Sequence, residues 1–493
     1  MPTNESRHVP IAMDANAFKA LGHRLVDQIA ELLESVPARP VTRNEPPAAI
    51  RRALDLDAPL PEGGVDPAAL LTDTARELFD HSLFNAHPRF FGYITAPPAP
   101  IGILGDFLAS ALNPNVGGWT LAPAATELEA QTIRWLGELI GFPSGDGVLV
   151  SGGNMANIVC LIAARAAAAS WDVRADGVAG AGGRQLVAYA SAETHTWIQK
   201  AADICGLGTS NVRWIETDAD LRMRVSALEA AIDADRRAGH VPFIVVGTAG
   251  SVSTGAIDPL QEIADVCRRH RIWFHVDGAY GGFAASLPDA PRDLTALSMA
   301  DSVAVDPHKW LYAPLEAGCA LVRDPDALRR AFSYHPPYYH FDERVTNYVE
   351  RGPQNSRGFR ALKVWLALRQ AGASGVRRMI ADDIALSRQM AAAVERHPEL
   401  ELLTQSLSIT TFRFVPADLR PRLGEPDVES QLNEINKTLL DTLQREGELF
   451  VSNAVIGGRY ALRACIVNFH TTAADVEAVP SIVARAAHAI SPA

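Results

Sequence analysis

The feature that most constrains this chain is a rhythm in its middle. Short apolar runs alternate with alanine-rich or amphipathic stretches: "GVLVSGGNMANIVCLIAARAAAA", "QLVAYASAETHTWIQKAA", "PFIVVGTAGSVSTGAIDPLQEIADVCRRH", "IWFHVDGAYGGF" and "SVAVDPHKW". Repetition of strand, loop and helix predicts an α/β fold built on a mainly parallel, doubly wound sheet. In such sheets ligands bind beyond the carboxyl ends of the strands. The polar residues that follow each strand are therefore expected to converge, however far apart they lie in sequence.

A chain of 493 residues is too long for one core, so more than one domain is expected. Residues 1–90 read as an N-terminal helical segment: "DANAFKALGHRLVDQIAELLESV" carries Phe18, Leu21, Leu25, Ile29 and Leu33 on a helical period, and "RPVTRNEPPAAI" then breaks it. With little to pack on locally, that helix is expected to clasp another subunit. Residues 91–375 form the large domain. After them come a long helical stretch, "LSITTFRFVP", an amphipathic segment near 428–446, "YALRACIVNF" and a last helix, which read as a smaller C-terminal α/β domain over 376–493.

The formal net charge of −12 repels phosphate backbones and argues against a nucleic-acid partner. The five cysteines are scattered, without a CxxC pair, so neither a disulfide framework nor a metal site is expected. Cys267 and His270 have a ligand-like spacing but no second pair to answer them, and read as core cysteine and surface histidine. No apolar run reaches membrane-spanning length, and "MPTNESRHVP" lacks the core of a signal peptide. A cytoplasmic protein is expected.

The strand ends carry the chemistry. "SGGNMAN" (151–157) follows "GVLV" and opens a helix, so Gly152 and Gly153 let the backbone approach an anion at the free N–H groups of the helix start. "HVDGAYGG" (275–282) places Asp277 at the end of an apolar strand, on one face with Ala279, where a carboxylate needs a cationic partner. His275 reads as a core histidine behind it. "ETHTW" offers His195 just past "LVAYA". "DPHKW" sets His308 and Lys309 behind a stiffening Pro307, the lysine in apolar surroundings that favour a nucleophilic amine. An anion cradle, a carboxylate, a flat histidine and a desolvated lysine fit one ligand: an aromatic aldehyde bearing a phosphate and a basic ring nitrogen, that is, pyridoxal phosphate (PLP).

With these motifs, together with "HPRFFGY", "TELE" and "FRALKVW", the chain resembles the group II PLP-dependent amino acid decarboxylases, the aromatic-L-amino-acid, histidine and glutamate decarboxylases. The resemblance implies fold type I, a homodimer with active sites at the subunit interface, and decarboxylation of a small-molecule L-amino acid, most of all an aromatic one. It implies that Lys309 holds PLP as a Schiff base and that His308, Gly153 and Asn154 hold its phosphate. It also implies that Asp277 pairs with the pyridine nitrogen, that Ala279 packs beneath the ring and that His195 stacks above it. In relatives a loop tyrosine returns the proton to Cα; "FSYHPPYY" aligned without gaps puts Tyr338 in that role, with Tyr334 and Tyr339 as competitors.

The pattern departs in places. Where several relatives have a threonine near the phenolic oxygen, "TAGSVS" has Val252, with Thr248 or Ser251 as substitutes. Asp306 stands where many relatives have asparagine; a carboxylate suits a phosphate poorly unless it points away, so Asp306 is not assigned to the phosphate site. "GYITAPP" and "NPNVGGW" correspond to segments lining the substrate pocket, which makes Tyr93, Ile94, Asn115, Gly117 and Trp119 candidate contacts, with core packing an equal alternative for Tyr93 and Trp119. Arg463 is read as half of a structural ion pair; the alternative is that it meets a carboxylate, as related arginines do elsewhere in the superfamily.

Overall fold

The computed structural model describes residues 9–335 and 344–490. The expected strands are present: β1 (Asp146–Val150), β2 (Leu186–Ser191), β3 (Val212–Ile215), β4 (Val241–Thr248), β5 (Trp273–Asp277), β6 (Ser302–Val305) and β7 (Gly318–Val322). They form one sheet in the order β1-β7-β6-β5-β4-β2-β3. From β6 to β3 all pairings are parallel, whereas β7 runs antiparallel to both β6 and β1. Two reversals restore direction, so β1 ends at the same edge as β2, β4, β5 and β6. The strands are buried along almost their whole length, as both-face covering requires.

The described chain begins with α1 (Ala15–Ser35), α2 (Pro47–Ala53), α3 (Pro67–His81) and α4 (Pro100–Leu112). None of the side chains of α1 is buried, and α4 leaves Leu104, Phe107, Leu108 and Leu112 half or more exposed. α5 (Pro123–Leu139), α6 (Gly153–Ala168), α7 (Trp197–Ile204), α8 (Val225–Arg237), α9 (Leu260–His270) and α10 (Ala327–Phe332) pack around the sheet.

α11 (Ala361–Arg396) leaves the large domain and bends at Gly372, where φ is +65°. Beyond it lies a second, antiparallel sheet of order β10-β11-β9-β8, made of β8 (Leu400–Ser406), β9 (Ile409–Phe414), β10 (Ser452–Ile456) and β11 (Arg459–Cys465). α12 (Pro426–Glu446) and α13 (Ala473–Ile490) back it. The sequence reading picked out only β9 and β11 here. Their hairpin partners are edge strands, half-buried in β8 and alternating buried and exposed in β10, so neither carries an apolar run. Among the described residues no helix is long and apolar enough to cross a membrane.

Candidate active site

The edge at which β1, β2, β4, β5 and β6 end opens into a cavity of about 550 Å³, closed on one side by β10 and β11. Its floor is the start of α6. Gly152, at φ +148°, caps that helix with no side chain, so the helix presents bare amides to the cavity. A Cβ on Gly153 would stand 2.7 Å from Asp306 Oδ2 and 2.9 Å from Ala279 Cβ, and one on Gly318 would stand 2.4 Å from the Gly152 carbonyl carbon. The glycines are therefore needed for close approach, and what they leave open is an anion-sized cradle at a helix N-terminus.

Asp277 ends β5, nearly buried, with both oxygens occupied. Oδ2 accepts from Trp197 Nε1 at 2.8 Å and Oδ1 from the Ala279 amide at 3.2 Å. Behind it, His275 Nε2 donates to Asn157 Oδ1 at 2.7 Å, and Nδ1 meets Ser302 Oγ at 2.9 Å. Complete burial drives the His275 ring down to about 4, so it is neutral. His195 opens onto the cavity from the loop after β2. Lost water holds its ring below the ordinary histidine value; nearby Asp277 opposes that and Lys309 adds to it.

The β6 end carries Asp306, His308 and Lys309. Lys309 Nζ lies 3.1 Å from Asp306 Oδ2, and His308 Nε2 lies 3.5 Å from the same oxygen. His308 Nδ1 accepts from the Ala317 amide at 3.2 Å, which leaves the proton of a neutral ring on Nε2. Burial lowers its pKa against the pull of Asp306. The rest of the loop is gripped by groups far along the chain. Asp383 of α11 accepts from Trp310 Nε1 at 3.0 Å and from the Tyr312 hydroxyl at 2.6 Å. Tyr280 stacks on Trp310 with ring centroids 4.7 Å apart, and its hydroxyl meets Ser408 Oγ at 2.7 Å.

Lys309, Asp277, His195, His308, Ala279, Gly153, Asn154, Thr248, Tyr93 and Ile94 all line this one cavity. Other candidates are elsewhere. Ser251 is turned into its own turn, Oγ 3.0 Å from Thr254 Oγ1, while Val252 faces the cavity. Asn115 Oδ1 accepts from the Gly117 and Arg357 amides; a Cβ on Gly117 would stand 2.2 Å from the Asn355 carbonyl oxygen; and Trp119 Nε1 donates to Glu127. These three are not brought to the cavity of their own chain. Tyr93 is 61% exposed, which excludes core packing for its ring. Tyr338 and Tyr339 lie outside the described residues.

One reading is corrected. Arg463 makes no ion pair among the described residues: only 3% exposed, it donates from Nη1 to the Tyr93 carbonyl at 3.1 Å and to Ser452 Oγ at 3.0 Å, while Nε and Nη2 have no partner there. A register that pairs Ser452 with Arg463 puts this guanidinium at the cavity instead of beside a carboxylate. Asp306, to which the sequence assigns no role, sits between the α6 start and Lys309. Trp197 was missed although "ETHTW" contains it, because nothing in the sequence ties it to a carboxylate 80 residues on.

Residues 47–415 match the family model described as the pyridoxal-dependent decarboxylase conserved domain. The chain belongs to that family. An aromatic-L-amino-acid decarboxylase of Bacillus atrophaeus is 33% identical over 94% of each chain, and a phenylacetaldehyde synthase of Petunia hybrida is 30% identical over 92% of this chain and 91% of its own. The crystal structure of Oryza sativa TDC with PLP and tryptamine superposes with a TM-score of 0.89 at 28% identity, covering 98% of this chain and all of that one. This decarboxylase is thus a PLP enzyme of fold type I. Its cavity fits that cofactor: an uncapped helix start for a phosphate, a buried carboxylate, and a lysine amine meet in one space.

Proposed function

We propose that this decarboxylase converts an aromatic L-amino acid to its amine and CO2. The observation that carries the substrate class is the cavity mouth, where Tyr93, Ile94, Val252 and Leu315 set an apolar wall near Lys309. The likeness to the Bacillus aromatic-L-amino-acid decarboxylase supports the same reading.

PLP, when bound, supplies an aldehyde carbon for an amine and a ring that takes up the electron pair left as CO2 departs. Lys309 Nζ is the amine that holds it. The α6 start with Gly153, Asn154 and His308 receives the phosphate. Asp277, immobilised by Trp197, keeps a proton on the ring nitrogen. Ala279 and His195 would contact the ring, and Thr248, whose hydroxyl is 3.3 Å from that of Thr194, would offer a hydroxyl to its oxygen substituent. Tyr338 returns the proton to Cα; that assignment comes from the sequence. The enzyme works in the cytoplasm as a homodimer. The exposed apolar residues of α4, with Phe18 of α1 stacked on Phe107 at 6.5 Å, supply the contact face, and the segment of Asn115, Gly117 and Trp119 reaches the partner's cavity. Residues 1–90, 91–375 and 376–493 are its clasp, cofactor domain and small domain.

Purified enzyme should release CO2 and amine from aromatic acids in a screen of the twenty L-amino acids plus DOPA and 5-hydroxytryptophan. No CO2 from any of them, with PLP bound, sinks the proposal. A second reading, an acidic amino acid, is favoured by Arg463, which lines the cavity and keeps two buried nitrogens without a partner among the described residues; best turnover of glutamate or aspartate would install it. Aldehyde in place of amine would align the protein with the Petunia synthase.

A further inference from the structure

We propose that Asp306 is the proton relay through which Lys309 captures its cofactor. The inference rests on Lys309 being the cofactor lysine. Asp306 is 2% exposed, and its Oδ2 is 3.1 Å from Lys309 Nζ, while its buried Oδ1 has no partner among the described residues. Buried carboxylates kept for structure normally have both oxygens partnered, as Asp277 does in the same cavity. An asparagine would accept from the amine equally well but could not take its proton.

A charged lysine has no lone pair to attack an aldehyde. In the relay, Nζ passes one proton to Asp306 Oδ2, and the freed lone pair forms the bond to the aldehyde carbon of PLP. The carbonyl π electrons move to oxygen, and Asp306 returns its proton as that oxygen departs. The carbinol oxygen leaves as water, taking with it one further proton from nitrogen and the returned one. Charge balances, and no oxidant or reductant is consumed.

The relay has a signature. Carboxylate plus ammonium and acid plus amine contain the same number of protons, so the rate of capture is independent of pH between the two pKa values. Without the carboxylate the amine must lose its proton to water, and the rate rises tenfold per pH unit below the lysine value. The other titratable groups facing Asp306 are His308 on its own loop, His195 from beyond β2 and the Cys319 thiol of β7, with Lys363 of α11 beyond His308. Burial holds both histidines below the ordinary histidine value and the thiol well above the ordinary thiol value, so each is biased toward its uncharged form.

The test follows the visible absorbance of lysine-linked PLP after mixing full-length apoprotein with PLP in a stopped-flow instrument. Wild type should load at a rate flat from about pH 6 to about pH 8. Asp306→Asn should load at least about tenfold more slowly near pH 7 and recover tenfold per unit in base. Pyridoxamine phosphate, which has no aldehyde, should bind both proteins alike by calorimetry, which separates relay from misfolding. Equal rates and profiles in the two proteins overturn the relay. If Asp306→Asn does not fold, the wild-type profile decides, and a tenfold rise per unit there overturns it. Absorbance that persists in Lys309→Ala instead overturns the lysine assignment on which the relay rests.

Discussion

At the end of β5, Asp277 is held by an indole N–H and a backbone amide and has no free oxygen. At the end of β6, next to it in the sheet, Asp306 shares one oxygen with an amine and leaves the other bare. The β5 carboxylate is fixed entirely within the large domain, by the helix that follows β2. The β6 loop is steadied from outside, by Asp383 of α11 on Trp310 and Tyr312. In the proposed mechanism one wall of the cavity is thus a fixed electrostatic reference and the other is where a proton moves. A fully satisfied charge cannot exchange protons cheaply, and a mobile one cannot hold a ring nitrogen protonated.

Four measurements can break or sharpen this contrast. The largest effect is expected from Asp277→Ala, which removes the reference charge. Turnover should fall by about a thousandfold, while PLP stays lysine-linked by absorbance. A loss of under about tenfold would mean that Asp277 is only structural. Gly153→Ala comes next. Its methyl group would press on Asp306 and Ala279 between the two walls, so PLP affinity by titration should drop roughly tenfold or more, at an overpacking cost of about 1–3 kcal/mol. Trp197→Phe keeps the packing but removes one N–H from Asp277. It is worth about 1 kcal/mol, so kcat should fall about fivefold with KM nearly unchanged. An unchanged kcat would show that the indole does not set the charge.

The smallest effect concerns the outer brace. Burial raises the Asp383 carboxyl to about 7, with Tyr312 and Trp310 pulling it back. A carboxyl whose folded value lies above its unfolded one binds protons preferentially when folded. Its contribution is complete in acid and is lost as pH rises through about 7. Asp258, raised by burial to about 6, adds the same sign. Calorimetry should therefore show the Tm of the wild type falling by a few degrees relative to that of Asp383→Asn from about pH 5 to about pH 8, a difference from which the opposite-signed contribution of the low-pKa His275 cancels. A slope unchanged in Asp383→Asn would remove Asp383 from the pH dependence.

The order of Gly152–Gly153, His195, Asp277 and Lys309 behind successive apolar strands was enough to put them in one cavity. The reason is the periodicity of a parallel sheet, which delivers every strand's end to one edge whatever the lengths between. The same logic made β9 and β11 legible and hid β8 and β10, whose half-exposed faces leave no apolar run. Sequence alone, then, determined the sheet, its edge and the four groups there. Only the tertiary structure decided which groups those residues meet: Trp197 on Asp277, Lys309 on Asp306, Asp383 on Tyr312, and Arg463 on a carbonyl 370 residues away in place of a carboxylate. Such pairings depend on how one layer lies on another, and a linear pattern of polar and apolar residues holds no record of that.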